Sequence, residues 1–448
     1  MLPDAFLSQM QTLLGNETPD FVAALQLPPP VSVRLNFAKP TVSSINSNEA
    51  VPWCAAGRYL PARPVFTLDP LFQAGAYYVQ EASSMLVDFA LRQAVDLSNP
   101  LRVLDLCAAP GGKTTLLAAA LHPDSLLVCN EVIKSRVAIL KENVQKWGLP
   151  NVHVSHHDPE DFADLAGFFD VVLIDAPCSG EGLFRKDPAA ANEWSLESVQ
   201  LCAGRQKRIL AAAAPLLKPN GTLIYCTCTY NDAENQENAD FVAQNLGFEE
   251  TELTMPDAWG VARRKRGYQC YPHRVRGEGF FLSVFQKKGG NELNTSVYAF
   301  RSMKALHHKD ARLVKDWLRE PDDYAFFIKP NQEIVAVLAG QVEDLKILDK
   351  ALSAKGLGVE IGTIKGKDFI PSHALALSTM LHPDLPKVEL SVTESLQFLK
   401  KENLLLDAPN GWLLVTHQGL GLGWVKNLGN RVNNYLPKEW RIRMEIED

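Results

Sequence analysis

The stretch that most restricts the fold runs from about residue 80 to residue 286. Short apolar segments at 102–107, 126–130, 152–155, 171–175, 222–227 and 279–286 read as strands. Between them, 81–95, 114–121, 134–147, 196–217 and 233–245 carry helical periodicity, the fourth ended by Lys218-Pro219-Asn220-Gly221. A helix between successive buried strands calls for a mostly parallel sheet covered on both faces. Ligands of such α/β sheets bind beyond the carboxyl ends of the strands. The chemistry is therefore expected where these segments stop.

The flanks read differently. Residues 4–14 and 20–26 look helical, and 31–37 (VSVRLNF) alternates in the strand manner with Arg34 and Asn36 on the polar side. We take 1–70 as a small α+β region and 71–288 as the α/β domain. The polar, Gly-rich 287–295 is the expected linker to a third region, 296–448. That region has strand-like segments at 325–328 and 333–337, and 411–425 (GWLLVTHQGLGLGWV) reads as strand, Gly-containing turn, strand. A chain of 448 residues is long enough for two or three domains.

Composition removes several classes. The chain is 46% hydrophobic and 22% charged, enough to build cores. Its eight cysteines show no CxxC and no framework spacing, as expected for reduced thiols in a cytoplasmic protein. The start, MLPDAFLSQM, lacks the basic and apolar segments of a secretion signal. No run approaches the roughly 18 apolar residues of a membrane span. A net charge of -7 does not favour a nucleic-acid partner, but only the face that meets phosphate must be positive.

At 102–115 the chain reads RVLDLCAAPGGKTT: a strand ending in Asp105, a loop of small residues, then a helix. Glycines let backbone approach a ligand, and a helix start offers free N–H groups. The P-loop pattern fails because Cys107 stands where its first Gly belongs, and GxGxxG is absent. An uncharged or zwitterionic nucleoside ligand fits the loop. Glu131, Asp158 and Asp175 stand where the next strands end, and an acid after the second strand suits a ribose diol. Acids at strand ends also serve as helix caps and turn residues.

Two thiol motifs, DAPCSGEGLFR (175–185) and YCTCTY (225–230), fall at the ends of neighbouring predicted strands. Cys178 lies in a loop. Free cysteine is usually a small buried hydrophobe, and Cys54, Cys129 and Cys202 are read that way. Cys226 is read as core on the sheet face away from Cys228. The sequence does not say which thiol is the reactive one. Arg263, Arg264, Lys265, Arg266, Arg274 and Arg276 are interleaved with Tyr268 and Tyr271, a pattern able to follow phosphates and stack on bases. Arg185 and Lys186 are candidates to hold a phosphate. Lys426, Arg431, Lys438, Arg441 and Arg443 are further basic candidates.

These motifs are recognisable together. YYVQEASSM (77–85), DLCAAPGGKTT (105–115), DAPCSGEGLFRKDP (175–188), TCT (227–229) and YPHRVRGEGFF (271–281) resemble, in order, the RNA 5-methylcytosine methyltransferase family (the Nop2/NSUN/Rsm group). Within that group the likeness is to the bacterial 16S rRNA cytosine-C5 methyltransferases of the RsmF type. The resemblance implies a Rossmann-like S-adenosylmethionine-dependent methyltransferase core. It also implies an RRM-like N-terminal region and a C-terminal PUA-like RNA-binding region, to which PSHALAL (371–377) and GWVKN (423–427) are similar.

Site roles follow from the same resemblance. Cys107, Ala108, Ala109, Pro110, Gly111, Gly112 and Lys113 would form the cofactor loop. Glu131 would hold the ribose, Asp158 would lie near the adenine, and Asp175 would serve cofactor and base. Cys228 would attack carbon 6 and Cys178 would assist release. Pro272-His273 and Gly279-Phe280-Phe281 would shape the target pocket. The chemistry needs a thiol because carbon 5 of cytosine is a poor nucleophile until a thiolate adds to carbon 6. The implied partner is RNA, 16S rRNA or the 30S subunit, met by a monomer in the cytoplasm, with the target base out of any stack. No metal is implied. Three rivals stand: a tRNA substrate, a DNA enzyme with the cysteine of Pro177-Cys178 attacking, and a non-catalytic rRNA-binding assembly factor.

Overall fold

The computed structural model describes residues 2–39, 49–293, 298–353 and 356–444. The expected α/β alternation forms one large sheet. Its order is Ala262–Arg263, Tyr268–Cys270, Phe280–Lys287, Leu217–Thr227, Phe169–Asp175, Arg102–Asp105, Leu126–Asn130, Val152–Ser155, with Phe248–Glu250 also paired to Phe280–Lys287. The five strands from Leu217–Thr227 to Val152–Ser155 run parallel, and Phe280–Lys287 is antiparallel to its neighbour. Strand order reverses at Arg102–Asp105, which pairs with Leu126–Asn130 on one side and Phe169–Asp175 on the other. Ligands sit at such a switch point, and the small-residue loop at 107–113 starts there.

Helices Gly112–Ala120, Lys134–Trp147, Leu196–Ala213 and Gln236–Asn245 cover the sheet. Helix 81–95 is shorter than expected: a 3-10 turn, Ser83–Met85, precedes Leu86–Ala94. The segment expected as a turn at 218–221 belongs to a strand instead. Leu217 pairs with Phe169, the ladder slips, and Thr222 then pairs with Val171. Asn220 takes a left-handed φ of 62°, which lets the extra residues bulge out while the strand continues.

In the N-terminal region, Val31–Leu35 pairs antiparallel with both Cys54–Leu60 and Tyr77–Val79. Helices Asp4–Leu14 and Thr18–Leu25 bury Phe6 and Phe21 against Phe184, Trp194, Tyr230 and Tyr271 of the large domain. Within the expected linker, Lys287 ends a strand and the Leu293 N–H donates to the Gly167 carbonyl, while 294–295 lie outside the described residues. The C-terminal region carries two separate sheets, one of five strands beginning at Lys304 and one of four beginning at Lys387. The expected hairpin is Gly411–His417 paired with Leu420–Asn427. Among the described residues no helix is long and apolar enough to cross a membrane.

Candidate active site

The two thiol motifs meet because Phe169–Asp175 and Leu217–Thr227 are neighbouring parallel strands with Asp175 opposite Cys226. Each strand ends at this edge and releases a loop. Cys178 and Cys228 approach to a Sγ–Sγ distance of 3.0 Å, and all eight cysteines are free. The loops are pinned by the Gly182 N–H, which donates to the Cys228 carbonyl at 2.8 Å. A side chain at 182 would place its Cβ 2.7 Å from the Gly279 carbonyl oxygen and 2.8 Å from that of Cys228. The motif's second glycine is thus required by close backbone approach. The sulfur of Cys228, with burial adding to it, pushes the Cys178 thiol well above the usual range.

Asp175 closes the site on the cofactor side. Its Oδ2 forms an ion pair with Lys113 Nζ at 2.8 Å, and Lys113 sits over the Phe280 ring. Burial would lower the Lys113 ammonium, but Asp175 outweighs it and holds the proton on. Lys113, expected as part of the cofactor loop, therefore also reaches the thiol side. Cys226 is core, as expected, but it does not face away: its Sγ lies 3.6 Å from Asp175 Oδ1, beneath the site. Residues two apart on a strand share a face. Tyr225 is the residue that packs on the opposite face.

In the loop itself, Gly111 takes a φ of 112° just before the helix Gly112–Ala120. The Ala108 N–H donates to the Asn130 carbonyl, and Arg136 and Asn143 donate to the Ala109 and Pro110 carbonyls. Cys107 is pushed up by burial. Glu131, 3% exposed, accepts from the Ile133 N–H and pairs with Arg136. Beneath the loop lies Asp105, fully buried. Its Oδ2 accepts from Thr114 at 2.6 Å, its Oδ1 has no partner, and burial pushes its carboxyl up to about 7. An orphaned buried acceptor beside a glycine loop, with an acid after the second strand, fits a cationic nucleoside cofactor.

Asp158 caps the 3-10 helix Pro159–Leu165 and is bound by Arg208 at 2.9 Å, which lowers its pKa. A cap and an ion pair account for its placement.

Arg185, expected to meet phosphate, instead has a side chain only 5% exposed. Its Nε donates to Glu278 at 2.9 Å, and Nη2 and Nη1 donate to the carbonyls of Gly277 and Ala24. It ties the Cys178 loop to the 271–281 motif and the N-terminal helices. Lys186 is exposed. The basic strip is largely neutralised by acids from other segments. Arg263 pairs with Glu250, Arg264 with Asp232, Lys265 and Arg266 with Asp240. Arg274 and His273 pair with Glu17, and Arg276 with Glu49.

Missed by sequence reasoning are the buried acids Glu181, Glu234 and Glu278. The available signal was an ionisable residue inside the otherwise small and apolar motif CSGEG.

Known proteins similar to this chain show its family and fold. Residues 92–286 match the family described as 16S rRNA methyltransferase RsmB/F, 2–82 the N-terminal domain of 16S rRNA methyltransferase RsmF, and 385–442 the methyltransferase RsmF PUA domain. The ribosomal RNA small subunit methyltransferase F of Aliivibrio fischeri is 32% identical, with 98% of this chain and 97% of that protein aligned. The chain belongs to the ribosomal RNA small subunit methyltransferase F family. The Vibrio cholerae protein of the same name is also 32% identical over 98% of this chain and 97% of its own. Among solved structures, a methyltransferase homologue from Pyrococcus horikoshii is 27% identical with a TM-score of 0.55, covering 64% of this chain and 95% of its own. NSun6 from the same organism, solved with SFG, is 20% identical with a TM-score of 0.55 over 64% of this chain and 99% of its own, and shows the fold. The α/β class, with its Rossmann-like methyltransferase core and PUA segment, is as the motifs implied.

Proposed function

We propose that this protein transfers the methyl group of S-adenosylmethionine to carbon 5 of a cytosine in 16S rRNA, through a covalent bond between Cys228 and carbon 6. The observation that carries this reading is the 3.0 Å thiol pair beside Asp175 and Lys113, at the carboxyl edge of a sheet whose switch point opens the cofactor loop. The relatives' names point to the RNA of the small ribosomal subunit. The protein then acts as a monomer in the cytoplasm, and the PUA segment adds RNA contact outside the site.

S-adenosylmethionine, when bound, supplies an electrophilic methyl on a sulfonium. The loop 107–113 would hold it, with Glu131 on the ribose and the free Asp105 oxygen available to a cationic group. Cys228, as thiolate, adds its sulfur to carbon 6, and the ring's electron density moves to carbon 5. The proton shared by the Lys113–Asp175 ion pair is lent to N3 as that density moves and returns to the pair when the ring double bond is restored. After methylation a base removes the carbon 5 proton. The C–H electron pair restores the ring double bond, and the carbon–sulfur pair leaves with Cys228 as thiolate. Cys178 keeps its proton and donates it in a hydrogen bond to the departing sulfur.

The test is covalent trapping with methyl-labelled cofactor. Cys228→Ala loses both methylation and adduct, whereas Cys178→Ala accumulates a protein–RNA adduct. An adduct with Cys228→Ala and none with Cys178→Ala would reverse the roles. Labelling of tRNA or DNA in preference to 16S rRNA would change the substrate.

A further inference from the structure

Two carboxylates lie buried behind the thiols without touching them. Glu181 and Glu234 are both 0% exposed. Glu181 Oε2 accepts from Thr229 Oγ1 at 2.6 Å and from the N–H groups of Tyr230 and Asn231 at 2.8 and 3.0 Å. Its Oε1 accepts from Asn231 Nδ2, Gln9 Nε2 and Trp194 Nε1. Glu234 Oε2 accepts from the Ser179 N–H at 3.0 Å and from Gln206 Nε2 at 2.7 Å, and Gln206 also holds the Pro177 carbonyl. Asn231 Nδ2 reaches Glu234 Oε1 at 2.7 Å and so joins the two acids. Ser179 Oγ and Thr229 Oγ1 lie 3.1 Å apart, closing the lattice.

The pattern is crossed. The acid in the Cys178 loop, three residues after that thiol, binds the residues immediately following Cys228. The acid in the Cys228 segment, six residues after that thiol, binds the residue immediately following Cys178. Every group that donates to either carboxylate is neutral. Burying carboxylates without a counter-charge is costly, and apolar residues of similar volume pack such a site more cheaply. A network of this kind fixes one geometry when every member is satisfied.

We propose that Glu181 and Glu234 are positioning residues that set the separation of the Cys178 and Cys228 sulfurs. This rests on the thiol chemistry proposed above for its catalytic consequence, but the spacing itself can be read without RNA. Diamide takes two electrons and two protons from a thiol pair and leaves a disulfide, at a rate that depends on how often the sulfurs meet.

In the full-length protein, Glu181→Gln turns a pure acceptor into a group that presents N–H to N–H. It should slow diamide-driven Cys178–Cys228 bond formation at least tenfold. Methylation kcat should fall about a hundredfold, the KM for S-adenosylmethionine should change less than threefold, and the RNA adduct should persist because release fails. Thr229→Val, which keeps the side chain's shape and removes the hydroxyl's bonds to Glu181, Ser179 and Asn231, should slow the disulfide at least threefold and keeps the test decisive if Glu181→Gln does not fold. Wild-type disulfide rates in Thr229→Val, or in a Glu181→Gln that still binds S-adenosylmethionine, would overturn the proposal. If the wild type methylates no RNA while these variants still slow the disulfide, the positioning role stands and the methyltransfer reading fails.

Discussion

Replacing Asp105 by Asn tests the electrostatics of the cofactor loop directly. Asp105 is fully buried, has one oxygen without a partner, and has its carboxyl raised from 3.8 to about 7 by burial. The unfolded chain gives up this proton near pH 4, whereas the folded chain keeps it until about pH 7. The charged form is thus penalised in the folded state, so stability falls as pH rises through that window. A rise from 3.8 to about 7, at about 1.4 kcal/mol per pH unit, costs the folded state on the order of 4 kcal/mol above pH 7. The amide put in place by Asp105→Asn still accepts the Thr114 hydroxyl and carries no charge at any pH. The stability difference between Asp105→Asn and wild type, measured by urea denaturation without cofactor, should therefore rise by about 1.4 kcal/mol per pH unit between about pH 4 and 7 and then level off. His153, His373 and Lys39, whose burial also shifts their titration, are present in both proteins and cancel in the difference. The gain should come with weaker S-adenosylmethionine binding, by about 10- to 100-fold if a charge-assisted hydrogen bond of roughly 1.5–3 kcal/mol is lost. A difference that does not vary with pH, or a variant less stable than wild type at pH 8, would refute the reasoning.

Arg185→Met leaves Glu278, 3% exposed, as an uncompensated buried charge, and should cost about 3–5 kcal/mol in denaturation. A loss under about 1 kcal/mol would mean the pair is solvated. Gly182→Ala drives a Cβ into two carbonyl oxygens and should cost about 1–3 kcal/mol, with methylation falling far more than S-adenosylmethionine binding in an equilibrium titration. In salt-dependent RNA binding, Lys186→Ala should lower the slope by about 1, while Arg263→Ala, whose charge already faces Glu250, should lower it by less. Equal slopes for the two would show that the ion pair opens on RNA.

The legible parts of this protein are the local ones. Val171–Asp175 and the helix 134–147 announce themselves by apolar periodicity, and the loop 107–113 by its small residues. The bulge at Asn220 was not legible, because Lys-Pro-Asn-Gly reads locally as a helix stop and only the ladder with Phe169–Asp175 keeps it in the sheet. Arg263 to Arg276 read as a free basic strip because their partners Glu17, Glu49, Asp232, Asp240 and Glu250 lie elsewhere in the chain. The bond between Asp158 and Arg208 was not legible for the same reason, since the two are fifty residues apart.

The sequence by itself determined the strand–helix alternation, and with it the placing of the small-residue loop and both thiol motifs at strand ends. Hydrophobic period and turn chemistry act over a few residues and can be read from a single segment. Only the tertiary structure decided that Cys178 and Cys228 stand 3.0 Å apart, that Lys113 pairs with Asp175, and that Glu181 and Glu234 cross-brace the two loops. Those contacts depend on strand order. Segments 48 or more residues apart come together only because Phe169–Asp175 lies between Arg102–Asp105 and Leu217–Thr227, an arrangement set by the packing of the whole sheet.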